Sequence, residues 1–272
     1  MAKYIVFSDL DGTLLDHDTY SFEAAIPALQ LVAEKKIPVI LTSSKSLAEI
    51  KEIREELALE HPFIIENGGA ICIPPGYFST KEKLPTVDNF QIEFLGPSYD
   101  EILHKLENIR ANEVFQFKGF NDISVEEIMS LTALPYQKAQ KAKNRLCSEP
   151  LIWEDTAEKL VEFENEIKKQ NLKLLQGGRF YHLMGNTDKG KASLYLVDLY
   201  NKKFPDHKFL TIGIGDSPND IEMLNAVYIP VLVQRPDGSY IDIPIINKVI
   251  YADGRGPVGW NKAVQMILKG GK

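Results

Sequence analysis

Asp9 and Asp11, two carboxylates one residue apart at the end of the apolar run Tyr4-Ile5-Val6-Phe7, are the residues of this chain best suited to chemistry. Acids at the end of a buried strand cost free energy that some use must offset. Positions i and i+2 of a strand project to one face, so the pair can converge on one atom, and Gly12 lets the backbone turn sharply and approach a ligand. The arrangement suits covalent phosphoryl transfer. One Asp attacks phosphorus and becomes an aspartyl phosphate. The other, kept protonated by its like-charged neighbour, donates a proton to the leaving oxygen and later takes one from water. The competing reading is a surface turn, since Asp and Gly are ordinary turn formers.

A second apolar run ends in acids far along the chain, where Phe209-Leu210-Thr211-Ile212-Gly213-Ile214 leads into Gly215-Asp216-Ser217-Pro218-Asn219-Asp220. Mg²⁺ takes oxygen ligands, needs few carboxylates and keeps waters and substrate phosphate in its octahedron. Asp9 plus Asp216, with Asp220 or Asn219 behind them, would suffice. Ser43 follows the run Pro38-Val39-Ile40-Leu41-Thr42 where a strand gives way to a helix, and a hydroxyl or free N–H there can reach a phosphate oxygen. Ser46 with Glu49 fits a capping box, which leaves Ser43 and Ser44 free for a ligand, although a lone Ser could equally be a plain cap. Lys189 opens a helix with Ala192, Tyr195, Leu196 and Leu199 on its apolar face. A lysine in a first turn opposes the helix dipole, a conflict that an anionic ligand removes; the alternative is a solvated surface lysine.

The elements that must position these residues alternate strand and helix at both ends of the chain, which predicts a doubly wound parallel α/β sheet of Rossmann-like form. Strand 4–8 precedes a helix with Phe22, Ile26, Leu29 and Ala33 on one face. Strand 37–42, the capped helix and a hairpin turning at Glu66-Asn67-Gly68-Gly69 follow. The rhythm changes from about 85 to 186, with strand 90–94, helix 99–111, strand 114–117, two short helices, a helix carrying Leu160, Phe163 and Ile167, and strands 172–176 and 179–183. It resumes at 188, with strands near 209–214 and 228–233 and a last helix from about 258. The expected organisation is therefore a core of residues 1–84 and 187–272 with an inserted α/β unit over 85–186. The 272 residues, 44% hydrophobic and 25% charged, suit a globular chain with sizeable cores. A formal net charge of -7 opposes nucleic-acid binding. Two cysteines cannot form a disulfide framework, and without a signal-like or spanning apolar stretch the expected compartment is the cytoplasm, away from membranes.

Taken in order, Asp9-Leu10-Asp11-Gly12-Thr13, Ser43, Lys189 and Gly215-Asp216-Ser217-Pro218-Asn219-Asp220 resemble the four motifs of the haloacid dehalogenase (HAD) superfamily of phosphatases. That resemblance implies Asp9 as nucleophile and Asp11 as general acid/base, with Ser43 and Lys189 holding the phosphoryl group. It also implies Mg²⁺ on Asp9, Asp216 and the main-chain carbonyl of Asp11, supported by Asp220. The insertion lies where the Cof-like group carries an α/β cap, the place for substrate selectivity. Within it, Arg179 could clamp a carboxylate through two parallel hydrogen bonds. His182, three residues on, would face the other way on an ideal strand. The segment Gly177 to Lys191, with Glu66-Asn67-Gly68-Gly69 and Ser148 to Trp153, is similar to mannosyl-3-phosphoglycerate phosphatases. This implies a phosphorylated glycosyl-glycerate as substrate, with Ser44, Asn67, Arg179, His182 and Asn219 lining its site. A Cof-like sugar phosphatase, a glucosyl-3-phosphoglycerate or sucrose-phosphate phosphatase, a phosphohexomutase and a non-catalytic binding module on the same frame are the alternatives. Trp153, Phe180 and Tyr181 are expected to pack the insertion, and His17, His61, His104 and His207 to be structural or exposed.

Overall fold

The computed structural model describes residues 3–78, 84–112, 115–177, 179–242, 244 and 248–270; residue 114 of one expected strand and Gly178 lie outside them. The chain runs β1 (Lys3–Ser8), α1 (Ile26–Glu34), β2 (Val39–Leu41), α2 (Leu47–Glu56), β3 (Phe63–Ile65), β4 (Ala70–Ile73), β5 (Thr86–Val87) and β6 (Phe90–Phe94). It crosses into α3 (Tyr99–Asn112), β7 (Phe117–Gly119), α4 (Val125–Thr132), α5 (Tyr136–Lys143), β8 (Ser148–Trp153), α6 (Ala157–Lys169), β9 (Leu172–Gln176) and β10 (Tyr181–Gly185). It returns through α7 (Lys189–Lys203), β11 (Phe209–Gly215), α8 (Ile221–Ala226), β12 (Ile229–Gln234), β13 (Ile250–Arg255) and α9 (Gly256–Leu268).

The strands of the first lobe form a parallel sheet of order β13-β12-β11-β1-β2. A parallel bridge from Thr42 to Ile64 carries it on to the antiparallel set β3-β4-β6-β5. Alternation along β1 divides the core: Val6 packs with α1, α2 and α9 through Val32, Ile50 and Trp260, while Ile5 and Phe7 pack with α7 and α8 through Leu196 and Met223. Helices on both faces are what an all-parallel sheet needs to hide its apolar surfaces. The buried stripe of α1 is Ala28 and Val32, not the expected Ile26 and Ala33, both of which are exposed. Pro27 stands in the first turn of α1, and Ala25, in the short 3₁₀ turn before it, supplies the next buried contact.

The second lobe is an antiparallel sheet of order β7-β8-β10-β9. Phe163 and Ile167 of α6 and Ile102 and Leu106 of α3 cover one face. Ile128 and Ala139 of α4 and α5 form a smaller cluster with Phe120 and Phe180. Trp153 and Tyr181 pack against the first of these clusters and Phe180 against the second, so these aromatics fill the lobe as expected. The start expected for this unit at 85 falls too early. Strand β6 pairs with β4, and Leu95 N–H donates to the carbonyl of Gly69 at 3.0 Å, so the chain leaves the first lobe at Gly96-Pro97. It comes back at Gly185, so close that a Cβ built on Gly96 would lie 3.4 Å from the Gly185 Cα. The strand expected over 179–183 begins at Tyr181; before it, Gly177 N–H donates to the Phe180 carbonyl at 2.8 Å. No helix among the described residues is long and apolar enough to cross a membrane.

Candidate active site

Parallel register gathers the acidic motifs. Ser8 lies opposite Ile214 in β11 and Leu41 in β2, so the residues that follow all three strands emerge at the carboxyl edge of the sheet. In doubly wound sheets ligands bind at this edge, where the strand order reverses. Asp9 N–H donates to the Ile214 carbonyl at 2.9 Å, which locks the first motif beside the last. From behind, the indole of fully buried Trp260 donates to Ser8 Oγ at 3.0 Å, and that hydroxyl donates to the Asp9 carbonyl at 2.8 Å.

Lys189 is the centre of the cluster. Its ammonium donates to Asp9 Oδ1 at 2.7 Å and to Asp220 Oδ1 at 2.6 Å, and its side chain is fully buried. The sequence places this lysine in a first helical turn, and the structure supplies the carboxylates that stabilise it there. Asp188 caps the helix by accepting from Lys191 N–H at 2.7 Å. The turn after β3 packs so closely on that first turn that a Cβ on Gly68, where φ is +90°, would sit 2.2 Å from the Asp188 carbonyl oxygen. Although burial opposes its charge, Asp220 and Asp9 hold the Lys189 ammonium above the ordinary lysine range.

One oxygen each of Asp9, Asp216 and Asp220 lies within 4.8 Å of the others. Asp220 is fully engaged: beyond Lys189, its Oδ2 accepts from Asp216 N–H, Ser217 N–H and Ser217 Oγ at 3.2, 3.1 and 3.1 Å. Asp216 Oδ1 accepts from Thr13 Oγ1 at 2.9 Å. Gly12 has φ +76°, and a Cβ there would lie 2.8 Å from Asp216 Oδ2. Burial, then Asp220, raises both remaining acids: Asp9 well above the usual carboxylate range and Asp216 to about 6. Hard oxygen donors gathered around too little positive charge are what a small divalent cation relieves. Asp9 Oδ2 and Asp216 Oδ2 are the oxygens of this cluster without a hydrogen-bond donor among the described residues.

Strand alternation does not extend to Asp9 and Asp11. β1 ends at Ser8, and Asp11 instead bridges to Leu15 in a local turn. Its carboxylate pairs with Lys45, Nζ to Oδ2 2.7 Å, while Oδ1 is buried with no partner. Burial pulls against the Lys45 charge, but Asp11 and Glu49 outweigh it and raise this lysine above its ordinary value. Ser46 and Glu49 close the expected capping box on α2. Ser43 is buried; its N–H donates to the Ile64 carbonyl at 3.1 Å, so only its hydroxyl, which accepts from Lys45 N–H at 3.2 Å, remains to reach a ligand.

Asn67 and Asn219 meet across the site. Asn67 sits at φ +56° in the turn after β3 and accepts from Asn219 Nδ2 at 3.1 Å, and its own Nδ2 is buried without a partner. Its neighbour Glu66, wholly buried, reaches into the second lobe. It accepts from Leu146 N–H at 2.7 Å, Cys147 N–H at 3.0 Å and Ser148 Oγ at 2.7 Å, and it faces Arg145 Nε at 3.4 Å. Arg145 in turn donates to the Ser44 carbonyl at 3.0 Å. Glu66 is thus more than a turn residue, and Arg145, Lys45 and Trp260 complete the surroundings without any motif of their own.

Arg179 and His182 both lie in the second lobe. Arg179 is exposed and donates to the Thr132 carbonyl at the end of α4, 2.8 Å away, where a cation offsets the negative end of the helix. One terminal nitrogen of its guanidinium is thus engaged within the second lobe. His182 lies in β10, its Nδ1 buried without a partner, and burial, then the charge of Arg145, depresses its imidazole to about 3. It is neutral at pH 7 and cannot supply positive charge to a ligand.

The family model for haloacid dehalogenase-like hydrolases matches residues 6–237. A glucosyl-3-phosphoglycerate/mannosyl-3-phosphoglycerate phosphatase of Methanococcoides burtonii is 43% identical over 267 residues, covering 98% of this chain and 97% of the relative. A protein of the same name from Persephonella marina is 40% identical, with 97% of each chain covered. A crystal structure from Thermoplasma acidophilum shares the fold at TM-score 0.68 and 17% identity, covering 99% of both chains.

Proposed function

The chain belongs to the haloacid dehalogenase-like hydrolases, and from that premise we propose a Mg²⁺-dependent phosphoric monoester hydrolase acting on a 2-O-glycosyl-3-phosphoglycerate, mannosyl or glucosyl. The observation that carries the reading is the buried ammonium of Lys189 bridging Asp9 and Asp220, with Asp216 alongside. Asp9 is the nucleophile: Lys189 holds Oδ1 and fixes the carboxylate, leaving Oδ2 to attack phosphorus. Asp11, beside Lys45, is the general acid/base: in its protonated form it gives a proton to the leaving oxygen, and it recovers one from the water that cleaves the aspartyl phosphate. Ser43 Oγ and the unpartnered Asn67 Nδ2 are donors for the phosphoryl oxygens. Asp9, Asp216 and the Asp11 carbonyl would hold Mg²⁺, which offsets the charge of the transferring group, and Asp220 braces them. The second lobe, residues 97–184, is the cap that recognises the glycosyl-glycerate and excludes water from the acyl phosphate.

Phosphate release in Mg²⁺ from mannosyl-3-phosphoglycerate, glucosyl-3-phosphoglycerate and simple hexose phosphates tests the reading, with the glycosyl-3-phosphoglycerates expected to rank first by kcat/KM. Asp9→Asn keeps the volume and fold but removes the attacking oxyanion, so turnover is lost. Undiminished release by a folded Asp9→Asn protein refutes the nucleophile.

A further inference from the structure

Two lysines from different lobes converge on one exposed ring beside Asp11. Lys45, with its side chain 16% exposed, has Nζ 2.7 Å from Asp11 Oδ2 and 5.5 Å from the centroid of Tyr20. Lys138, exposed on α5, has Nζ 5.8 Å from the same centroid. Tyr20 is held at φ +58° by a turn in which its N–H donates to the Asp16 carbonyl at 3.0 Å. The two lobes are pinned together nearby: Ser46 Oγ donates to the Lys141 carbonyl at 2.8 Å, and Lys141 pairs with Glu52 at 2.8 Å. Lys138 is thereby carried to the rim of the site by an anchored helix.

Three further cations near the site are committed elsewhere, and Arg235 lies on the far side of it, where its charge acts on Asp216. Lys189 lies between Asp9 and Asp220, Arg145 faces Glu66, and Arg179 bonds a helix carbonyl. In a chain of net charge -7 an anionic substrate needs local positive charge. We propose that Lys45 and Lys138, flanking Tyr20, form the subsite for the substrate's carboxylate, one lysine from each lobe. The inference rests on the substrate reading above. In a 3-phosphoglycerate ester the carboxylate carbon is two carbon–carbon bonds from the carbon bearing the leaving oxygen. An ester that presents that oxygen to Asp11 therefore lays its carboxylate beside the ammonium paired with Asp11. Closure on the carboxylate from the cap side by Lys138 makes cap docking sensitive to the acid group. A substrate lacking it gains nothing from that lysine.

The test compares mannosyl-3-phosphoglycerate with its reduced counterpart, 2-O-mannosylglycerol 3-phosphate, in which CH₂OH replaces the carboxylate. The ratio of kcat/KM for the two is measured in the wild type, Lys138→Met and Lys138→Arg. The wild type is expected to favour the acid, Lys138→Met to lower the ratio about tenfold, and Lys138→Arg to keep most of it. If the Met variant slows both substrates alike, or leaves the ratio unchanged, the lysines only pack on Tyr20 and the inference fails while the substrate reading stands. A wild type that does not distinguish the two esters overturns the substrate reading and this inference with it.

Discussion

Lys189→Met isolates the electrostatics of the site, because the substitution keeps most of the stem and removes the charge. The ammonium is buried and touches two buried carboxylates at 2.7 and 2.6 Å. Removing one partner of a buried ion pair costs about 3–5 kcal/mol. At about 2–4 °C per kcal/mol for a chain approaching this size, the metal-free variant should melt on the order of 10 °C below wild type at pH 8. The pH dependence separates charge from packing. Asp9 is raised and Asp216 sits at about 6, so the native state takes up protons more readily than the unfolded chain, and acidification through pH 6 favours folding. Without Lys189 these acids protonate more readily still, and the deficit of the variant should shrink to about 1–2 kcal/mol at pH 5. Lost packing has no such dependence. Urea unfolding in EDTA at pH 8 and pH 5 measures both values, and an equal deficit at the two pH values would refute the account of Lys189 as counter-ion to the acidic cluster.

Glu66→Gln should cost about 3–5 kcal/mol by leaving Arg145 unpaired in the interior, and hydrogen exchange at the Leu146 and Cys147 amides should quicken; an unchanged melting temperature and exchange pattern would remove the lock between lobes. Gly12→Ala forces a Cβ to within 2.8 Å of Asp216 at positive φ, so it should destabilise by more than about 1 kcal/mol and abolish Mg²⁺-dependent turnover, and a fully active variant would contradict that crowding. Mg²⁺ at about 100 times its Kd should stabilise the protein by about 2.7 kcal/mol at pH 7.5. The gain should fade below pH 6 as Asp216 protonates. A thermal shift that stays constant down to pH 5 would argue against Asp216 as a ligand.

The sheet and its site-bearing ends were legible because apolar runs announced β1, β11 and β12, and those of β1 and β11 led directly into acids. The capping box at Ser46 was equally plain, since both of its hydrogen bonds are local. What escaped was decided by distant partners. Strand β8 carries Glu149 and Pro150, which break the alternation of a strand; Glu149 is buried only because Tyr99 and the Asn121 amide donate to it, and burial lifts it to about 7. Strand β13, with Asp253 and Gly254, is an edge strand with little apolar pattern. Lys45 and Arg145 were invisible as site residues because their meaning lies in contacts 34 and 79 positions away with Asp11 and Glu66. The partner of Arg179 was equally hidden, since its bond to the Thr132 carbonyl spans 47 positions.

The abutting glycines 96 and 185 carry a consequence for how such a molecule diversifies. Because the chain departs from and rejoins the first lobe at a single point, the stretch between can vary without rethreading a strand of the parallel sheet, provided that the residues from Arg145 to Ser148 still meet buried Glu66. A splice joining those two positions leaves the acidic cluster, its lysine and their backbone supports on one continuous scaffold. The acidic cluster and the second lobe are therefore carried by separate stretches of chain, free to change at different speeds.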